Sequence, residues 1–110
     1  MIVPQAGAMG EWPEGLYEAE MRVAAFQNGY FTALCNRVGK EPVLTFSAES
    51  FVCDPKGTVI AKAATGRDEI LYSDIDIDEI PGSAAERYFL PDRRPEDIGG
   101  WENKESLPME

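Results

Sequence analysis

The sequence predicts an α/β protein with a mixed sheet, and three local patterns support this prediction. Residues 16–28 repeat apolar or small side chains three and four positions apart, as one face of a helix does. Residues 30–35 form a nearly unbroken apolar and β-branched run, which is typical of a strand buried on both faces. Residues 54–57, Asp-Pro-Lys-Gly, lie between two apolar segments and therefore indicate a β-hairpin.

The predicted elements follow one another as strand, helix, strand, hairpin, strand and helix. Ile2 and Val3, directly before Pro4, form the end of the first strand. Glutamates in the first half of the helix suit the positive end of its dipole. Gly29 can end the helix, because glycine readily adopts the left-handed backbone conformation. The remaining segments are a loop over residues 5–15, a loop over 36–42, hairpin strands over 50–53 and 58–62, a strand over 69–77, a short helix over 78–88 and a loose polar tail over 99–110.

The predicted sheet has too few helices to cover both of its faces. Strands that are apolar on both faces need a packed layer on each side. One helix of ordinary length and one short helix do not supply these two layers. We therefore expect the chain to depend on a missing half of the domain or on a partner.

The composition disfavours several classes of function. Twenty acidic residues against ten basic ones give a net charge of −10, which opposes binding to nucleic acid or to an anionic membrane surface. No apolar run approaches the ~20 residues that cross a bilayer, and the N-terminus does not resemble a signal peptide, so a cytoplasmic protein is expected. The absence of histidine from the sequence removes histidine-based acid–base and nucleophile systems and most zinc sites.

The cysteines and the acidic stretch are both interpreted as structural. Cys35 and Cys53 lie in apolar strands, where cysteine behaves as a small buried hydrophobe, and they form no C-x-x-C pair. Acids alternate over residues 74–79, as at the start of a calcium loop. The glycine and glutamate that such a loop needs at its sixth and twelfth positions are replaced by Glu79 and Ala85. A strand with a solvated acidic face is therefore the favoured interpretation.

Two smaller features are also assigned no chemistry. Gly7 and Gly10 do not have the spacing of a dinucleotide fingerprint or a phosphate-binding loop. Arg93 and Arg94 are a basic pair in an acidic chain, too few for a nucleic-acid surface. We expect them to form ion pairs with the chain's own carboxylates.

Several short motifs in this order resemble the carbon–nitrogen hydrolase (nitrilase/amidase) family over residues 2–97. The helix end before Asn-Gly and the Asn-Arg-Val-Gly segment after the following strand are the most informative of them. Ala48 stands where the family usually has glycine, which affects the backbone beside the pocket. The motifs occupy residues 24–29, 36–39, 46–51, 54–57, 69–78 and 92–95.

The resemblance implies the C-terminal portion of a four-layer α-β-β-α sandwich with a mixed sheet. Residues 1–98 would be a partial hydrolase domain, and residues 99–110 a flexible tail. In the family a glutamate base, an oxyanion-stabilising lysine and a nucleophilic cysteine cleave non-peptide C–N bonds of small amides, carbamoyl compounds or nitriles. These three residues are expected upstream of this region, so the chain alone is expected to be inactive, with no cofactor or metal. A homo-oligomer, or association with a related subunit, is the expected assembly, and the alternative is a non-catalytic remnant or partner-pairing module of the same fold.

The resemblance also implies which residues line the substrate pocket. The strand ending at Pro4 would finish beside the substrate, which places Gln5, Ala6 and Trp12 near it. Gln5 has an amide that can bind an amide or carbamoyl group, and Trp12 has a flat apolar face. The loop before the hairpin would bring Glu49 from another side. The alternatives are that Trp12 only packs at the start of the helix and that Glu49 is solvated.

Overall fold

A four-stranded mixed sheet with one helix packed against it forms the centre of the protein. The computed structural model describes residues 1–7, 10–43, 45–47, 49–64 and 67–98. In the sheet β1 pairs parallel with β2, and β2, β5 and β6 pair antiparallel in that order. The predicted mixed sheet is therefore confirmed. The elements are β1 (Ile2–Gln5), α1 (Leu16–Asn28), β2 (Thr32–Asn36), β3 (Val38–Lys40), β4 (Thr45–Ser47), β5 (Phe51–Cys53), β6 (Val59–Lys62) and α2 (Pro95–Ile98).

Helix α1 has the bounds that the sequence predicts. Gly29 ends it in the left-handed conformation at φ 69°, and its N–H donates to the carbonyl of Ala25 at 2.9 Å. Met21 and Ala25 are buried against the sheet. The Thr32 hydroxyl donates to the carbonyl of Met21 at 3.2 Å, so the helix is joined to β2 by a buried hydrogen bond as well as by packing.

The core lies between α1 and one face of the sheet. Strand alternation directs Leu34, Phe51 and Cys53 to this face, where all three are buried. Together with two helical residues they form one apolar cluster, and Val3, Tyr17 and Val59 pack at its edge.

The predicted hairpin is confirmed, and the side chain of Asp54 stabilises its turn. The Asp54 carboxylate accepts hydrogen bonds from the backbone N–H groups of Lys56 and Thr58, both at 3.0 Å. Arg22 on α1 donates to the carbonyl of Gly57 at 2.7 Å. The hairpin is therefore fixed both by its own turn and by the helix above it.

Three predicted segments are wrong in whole or in part. Residues 36–42 are not all loop, because β3 pairs with β4 as a separate two-stranded sheet. Residues 69–77 form no strand, although their side chains alternate as a strand's do. Residues 78–88 do not form one helix. Instead there are two short turns, a 3₁₀ turn over Ile77–Glu79 and a π-helical turn over Ala85–Phe89. The Pro-Gly pair at 81–82 separates them, and the side chain of Asp76 caps the first by accepting from the N–H of Asp78.

Strand β2 is not buried on both faces, contrary to the prediction. Thr32 and Leu34 are buried beneath α1, whereas Ala33 and Cys35, which point the other way, are half-buried and exposed respectively. The prediction that Cys35 is a buried hydrophobe is therefore wrong, and that for Cys53 is confirmed. The cause is that α1 covers only one face of the sheet.

The remaining observations concern the basic pair, the length of the helices and the C-terminal tail. Arg94 pairs with the carboxylates of Glu96 and Asp97, as predicted for the basic pair. Within the described ranges no helix is long and apolar enough to cross a membrane. The predicted tail over residues 99–110 lies outside the described residues.

The end of α1 gives a direct test of this packing. A Cβ atom at Gly29 would lie 2.7 Å from the Ser83 hydroxyl, whereas one at Gly82, which has a similar φ of 83°, would meet nothing within 4 Å. Gly29→Ala should therefore lower the free energy of unfolding by ~2–3 kcal/mol and Gly82→Ala by only ~1 kcal/mol. Urea denaturation measures both, and equal losses would show that the contact with Ser83 is unimportant.

Candidate functional site

A cleft of about 210 Å³ lies where the adjacent ends of β1 and β2 face the start of α1. It is on the same face of the sheet as the helix. Gln5 and Asn36 are paired in register, and each lies two residues after a residue of the core face, Val3 in β1 and Leu34 in β2. Its apolar lining comes from Leu34 and Phe51 of the core. The charged and polar lining residues are Gln5, Glu14, Tyr17, Glu18, Asn36, Glu49 and Lys62.

Asn36 joins three segments of the chain beside this cleft. Its side-chain oxygen accepts from the N–H of Gly7 at 2.7 Å, and its side-chain nitrogen donates to the carbonyl of the same residue at 3.3 Å. Its backbone N–H donates to the hydroxyl of Ser50 at 2.8 Å. Asn36 therefore fixes the chain after β1 and the chain before β5 relative to β2.

Gln5 lines the cleft and carries an unsatisfied hydrogen-bond donor. Its Nε2 atom is buried and has no hydrogen-bond partner in the described part of the chain. A buried donor without an acceptor typically costs ~1–3 kcal/mol, so an acceptor oxygen on a bound ligand would be stabilised here. This is the strongest sign of ligand binding that the described cleft shows.

Glu49 lines the opposite side of the cleft in an uncommon backbone conformation. Its φ is 51°, the left-handed region, and no other non-glycine residue in the described ranges has a positive φ. Such a conformation typically costs ~1 kcal/mol or more for a residue with a Cβ and is seen most often where function requires it. The carboxylate is exposed to solvent at the rim.

A lysine and a second glutamate form an ion pair in the same cleft. Lys62 Nζ lies 2.9 Å from Glu18 Oε2, which links β6 to the first turns of α1. The hydrogen bond that Lys62 donates to Glu18 raises the pKa of Lys62, outweighing the opposite effect of burial, and the charges of Glu18 and Glu49 raise it further. The lysine is therefore a fixed positive charge at neutral pH.

Two of the four predicted pocket residues meet at the cleft. Gln5 and Glu49 both line it, although they come from the strand on one side of β2 and from the segment before the strand on its other side. Trp12 is 52% exposed and touches the site only indirectly, through an edge-on ring contact with Tyr17 at 6.1 Å between centroids. Ala6 is exposed and is not part of the lining. Ala48, the expected glycine replacement, lies outside the described residues.

Tyr17, Lys62 and Asn36 are among the lining residues that were not predicted as site residues from the sequence. Tyr17 was assigned to the apolar face of the helix, yet it lines the cleft beside Gln5. Lys62 lies opposite Phe51 in the hairpin, and only the strand register places it there. Asn36 belongs to one of the motifs that carry the family resemblance, which was the available signal.

Neither cysteine lies in the cleft. Cys53 is buried in the core, and burial is the main cause that raises the pKa of its thiol, which makes it a weak nucleophile. Cys35 is exposed but projects from the opposite face of the sheet. Within the described ranges there is no group of three or more potential metal ligands.

Comparisons with known proteins support the family resemblance. The family model for carbon-nitrogen hydrolase matches residues 4–83. A carbon-nitrogen hydrolase from Helicobacter pylori G27 is 30% identical over 86% of this chain and 38% of its own, with a TM-score of 0.70. Saccharomyces cerevisiae Nit3, a member of branch 10 of the nitrilase superfamily, is 26% identical over 86% of this chain and 34% of its own, with a TM-score of 0.72.

An amidase of the nitrilase superfamily from Nesterenkonia AN1 is similar to the same extent. A mutant of it is 28% identical over 91% of this chain and 34% of its own, with a TM-score of 0.66. Comparison with curated protein sequences gives no match. This chain thus spans about a third of the length of the solved relatives. With a family model that matches most of the described residues, it belongs to the carbon–nitrogen hydrolase family as a fragment of a nitrilase-superfamily domain.

Proposed function

We propose that this chain is the C-terminal part of a carbon–nitrogen hydrolase domain and forms the wall that orients the substrate. The reaction is cleavage of a non-peptide C–N bond in a small amide, carbamoyl compound or nitrile. The observation that carries the proposal is the enclosed Gln5 Nε2 atom without a partner, in a cleft that also presents the Glu49 carboxylate. A donor and an acceptor in one cleft are complementary to the oxygen and the nitrogen of a primary amide.

The cleft has the size and the fixed geometry that such a role needs. A volume of about 210 Å³ suits a ligand of a few heavy atoms. Asn36 is hydrogen-bonded to Gly7 and to the Ser50 hydroxyl, which joins the segments next to Gln5 and Glu49 to β2. A preorganised wall costs little ordering entropy when a ligand binds, which favours orientation of the substrate over loose capture.

The proposal assigns the bond-breaking chemistry to the rest of the domain. For an amide, a nucleophilic cysteine attacks the carbonyl carbon, the C–N bond breaks as the nitrogen takes up a proton and leaves, and water then hydrolyses the thioester to the acid. The Nesterenkonia AN1 amidase has been described with the acetamide moiety of fluoroacetamide added covalently at its active-site cysteine. Burial of Cys53 and the opposite-face position of Cys35 make neither thiol a candidate for this role.

Binding of a small neutral amide tests the orienting role directly. Titration of the ¹⁵N-labelled chain with butanamide should shift the side-chain amide resonances of Gln5. Gln5→Ala should weaken binding about fivefold to tenfold, the effect of losing one hydrogen bond to a buried donor. Trp12→Ala should weaken it only about twofold, because Trp12 acts through its contact with Tyr17.

The matched control is Gln27→Ala, which removes the same side chain from an exposed position on α1. It should bind butanamide as the unmodified chain does. Wild-type affinity in both the Gln5 and the Trp12 variants, across amides and carbamoyl compounds, would contradict the proposed site.

The isolated chain should hydrolyse neither amides nor nitriles. Loss of the nucleophile typically costs several orders of magnitude in rate, because the catalytic groups act as a unit. Ammonia release from a panel of small amides and nitriles measures this. Turnover that disappears in Cys35→Ala or Cys53→Ala would mean that the chain contains its own nucleophile, and the assignment of chemistry to the rest of the domain would be wrong.

A second candidate function is a non-catalytic pairing module, and the uncovered face of the sheet favours it. On that face Ile2, Ala33, Cys35 and Val52 lie in register on neighbouring strands, and Ile2 is 73% exposed. An apolar face of this kind normally packs against a second layer. The occupant favoured here is a second copy of this chain, since two copies facing each other would form an α-β-β-α arrangement.

The reactivity of Cys35 tests this pairing, because it is the exposed thiol on the uncovered face. As protein concentration rises, sedimentation should show dimers and a thiol reagent should label Cys35 more slowly. Val52→Asp should restore the monomer and fast labelling, whereas Val23→Asp, on the outer side of α1, should change neither. A folded monomer with a fully reactive Cys35 at all concentrations would rule out pairing through this face.

A further inference from the structure

Gly7 is buried where three residues that line the cleft come together. A Cβ atom on Gly7 would lie 3.0 Å from Gln5 Nε2, 3.4 Å from Tyr17 Cε2 and 3.5 Å from Asn36 Oδ1. The last two distances are ordinary contacts, whereas the first is too short for unbonded heavy atoms. Gly7 is not among the glycines with a positive φ, so its backbone conformation does not require glycine. What a side chain at this position would disturb is the amide of Gln5.

Asn36 holds the backbone of Gly7 through both polar groups of its side chain. Its oxygen accepts from the N–H of Gly7 at 2.7 Å, and its nitrogen donates to the Gly7 carbonyl at 3.3 Å. The next residue along β2, Arg37, donates its backbone N–H to the carbonyl of Gln5 at 3.1 Å. The end of β2 therefore fixes the backbone of Gln5 by strand pairing and the backbone of Gly7 by a side chain.

We propose that Asn36 is a positioning residue for ligand binding, which acts through Gly7 to hold the Gln5 amide in the orientation that recognises a carbonyl oxygen. This inference rests on the proposed function, since it concerns the same cleft and the same donor. In this role Asn36 itself need not touch the ligand. It confines the amide of Gln5 by keeping the Gly7 backbone against it.

Orientation matters here because the donor is enclosed. Gln5 Nε2 is buried and has no hydrogen-bond partner among the described residues, so it cannot exchange a poorly aligned ligand for water at little cost. A hydrogen bond weakens steeply as the angle at its hydrogen departs from linearity. Loss of the Asn36 side chain would release the Gly7 backbone and let the Gln5 amide turn. The expected defect is therefore in recognition of the carbonyl oxygen, while the apolar lining stays as it is.

Two ligands of the same shape measure this recognition on the 110-residue chain. Butanethioamide differs from butanamide only in having sulfur, a weaker acceptor, in place of the carbonyl oxygen. In a chemical-shift titration the ¹⁵N-labelled chain should bind butanamide about fivefold more tightly than butanethioamide, and Gln5→Ala should bind both equally. Asn36→Ala should bring the ratio close to one by weakening butanamide alone.

The matched control is Asn28→Ala, which also removes an asparagine that donates to a backbone carbonyl, at 2.9 Å, but at an exposed position on α1. It should keep the fivefold preference. General loss of stability would weaken both ligands alike, so the ratio of the two affinities reports on orientation and not on the fold.

A second variant reaches the same amide without changing Asn36. Gly7→Ala places a Cβ atom against the Gln5 nitrogen, so it should shift the Gln5 side-chain resonances in the free chain and lower the preference for butanamide to about twofold or less. Gly10→Ala is its control in the same loop, because a Cβ atom there would meet nothing within 4 Å. If Asn36→Ala does not fold, the comparison between these two glycine variants decides.

The outcomes separate this inference from the function on which it rests. If butanamide binds and both Asn36→Ala and Gly7→Ala keep the full preference for it, the positioning role is wrong and the amide site stands. If Asn36→Ala weakens the two ligands equally, Asn36 only supports the fold, and the inference is again wrong. If butanamide does not shift the Gln5 resonances of the unmodified chain, the proposed site itself is wrong, and the inference falls with it.

Discussion

The parallel pairing of β1 with β2 is the constraint on which the rest of this structure depends. Parallel strands that are adjacent in sequence require a crossover, and α1 is that crossover, lying on one face of the sheet. The same pairing places the ends of both strands side by side, so Gln5 and Asn36 become neighbours. Both the position of the core and that of the cleft follow from this one pairing.

The pairing also determines what the chain leaves uncovered. A single crossover helix covers a single face, and the residues that alternate away from it remain exposed or half-buried. This explains how one strand can hold Leu34 in the core and Cys35 in solvent. The shortage of helices predicted from the sequence corresponds to this uncovered face of the sheet, where a further layer would pack.

How well the sequence predicted each element depended on how local its determinants were. Helix α1 was predicted to the residue, because its spacing and its glycine stop are properties of the segment itself. Residues 69–77 were assigned to a strand on alternation alone. Alternation shows which side chains share a face of an extended segment, but a strand also needs a neighbouring strand to pair with. None of the described strands pairs with residues 69–77. Strand β3 was missed for the opposite reason: residues 38–40 are polar and short, and only their pairing with β4 makes them a strand.

The candidate site was predictable to the extent that side chains lie at strand ends. Gln5 and Glu49 were proposed from such positions, through the family resemblance, and both line the cleft. Tyr17 and Lys62 reach it from the helix and from the far strand of the hairpin, and their approach depends on packing and register that no local pattern encodes. Cys35 was misjudged for the same reason, since an apolar run does not indicate which of its faces will be covered.

In the proposed function the cleft orients the ligand, and the bond is cleaved by residues in the rest of the domain. Gln5 and Asn36 are held by backbone pairing, and Asn36 is also hydrogen-bonded to Gly7 and Ser50, so this part of the cleft wall is formed within the chain itself. The buried Leu34 and Phe51 carry the packing beneath the cleft, so a substitution at the exposed Glu49 should leave the core intact.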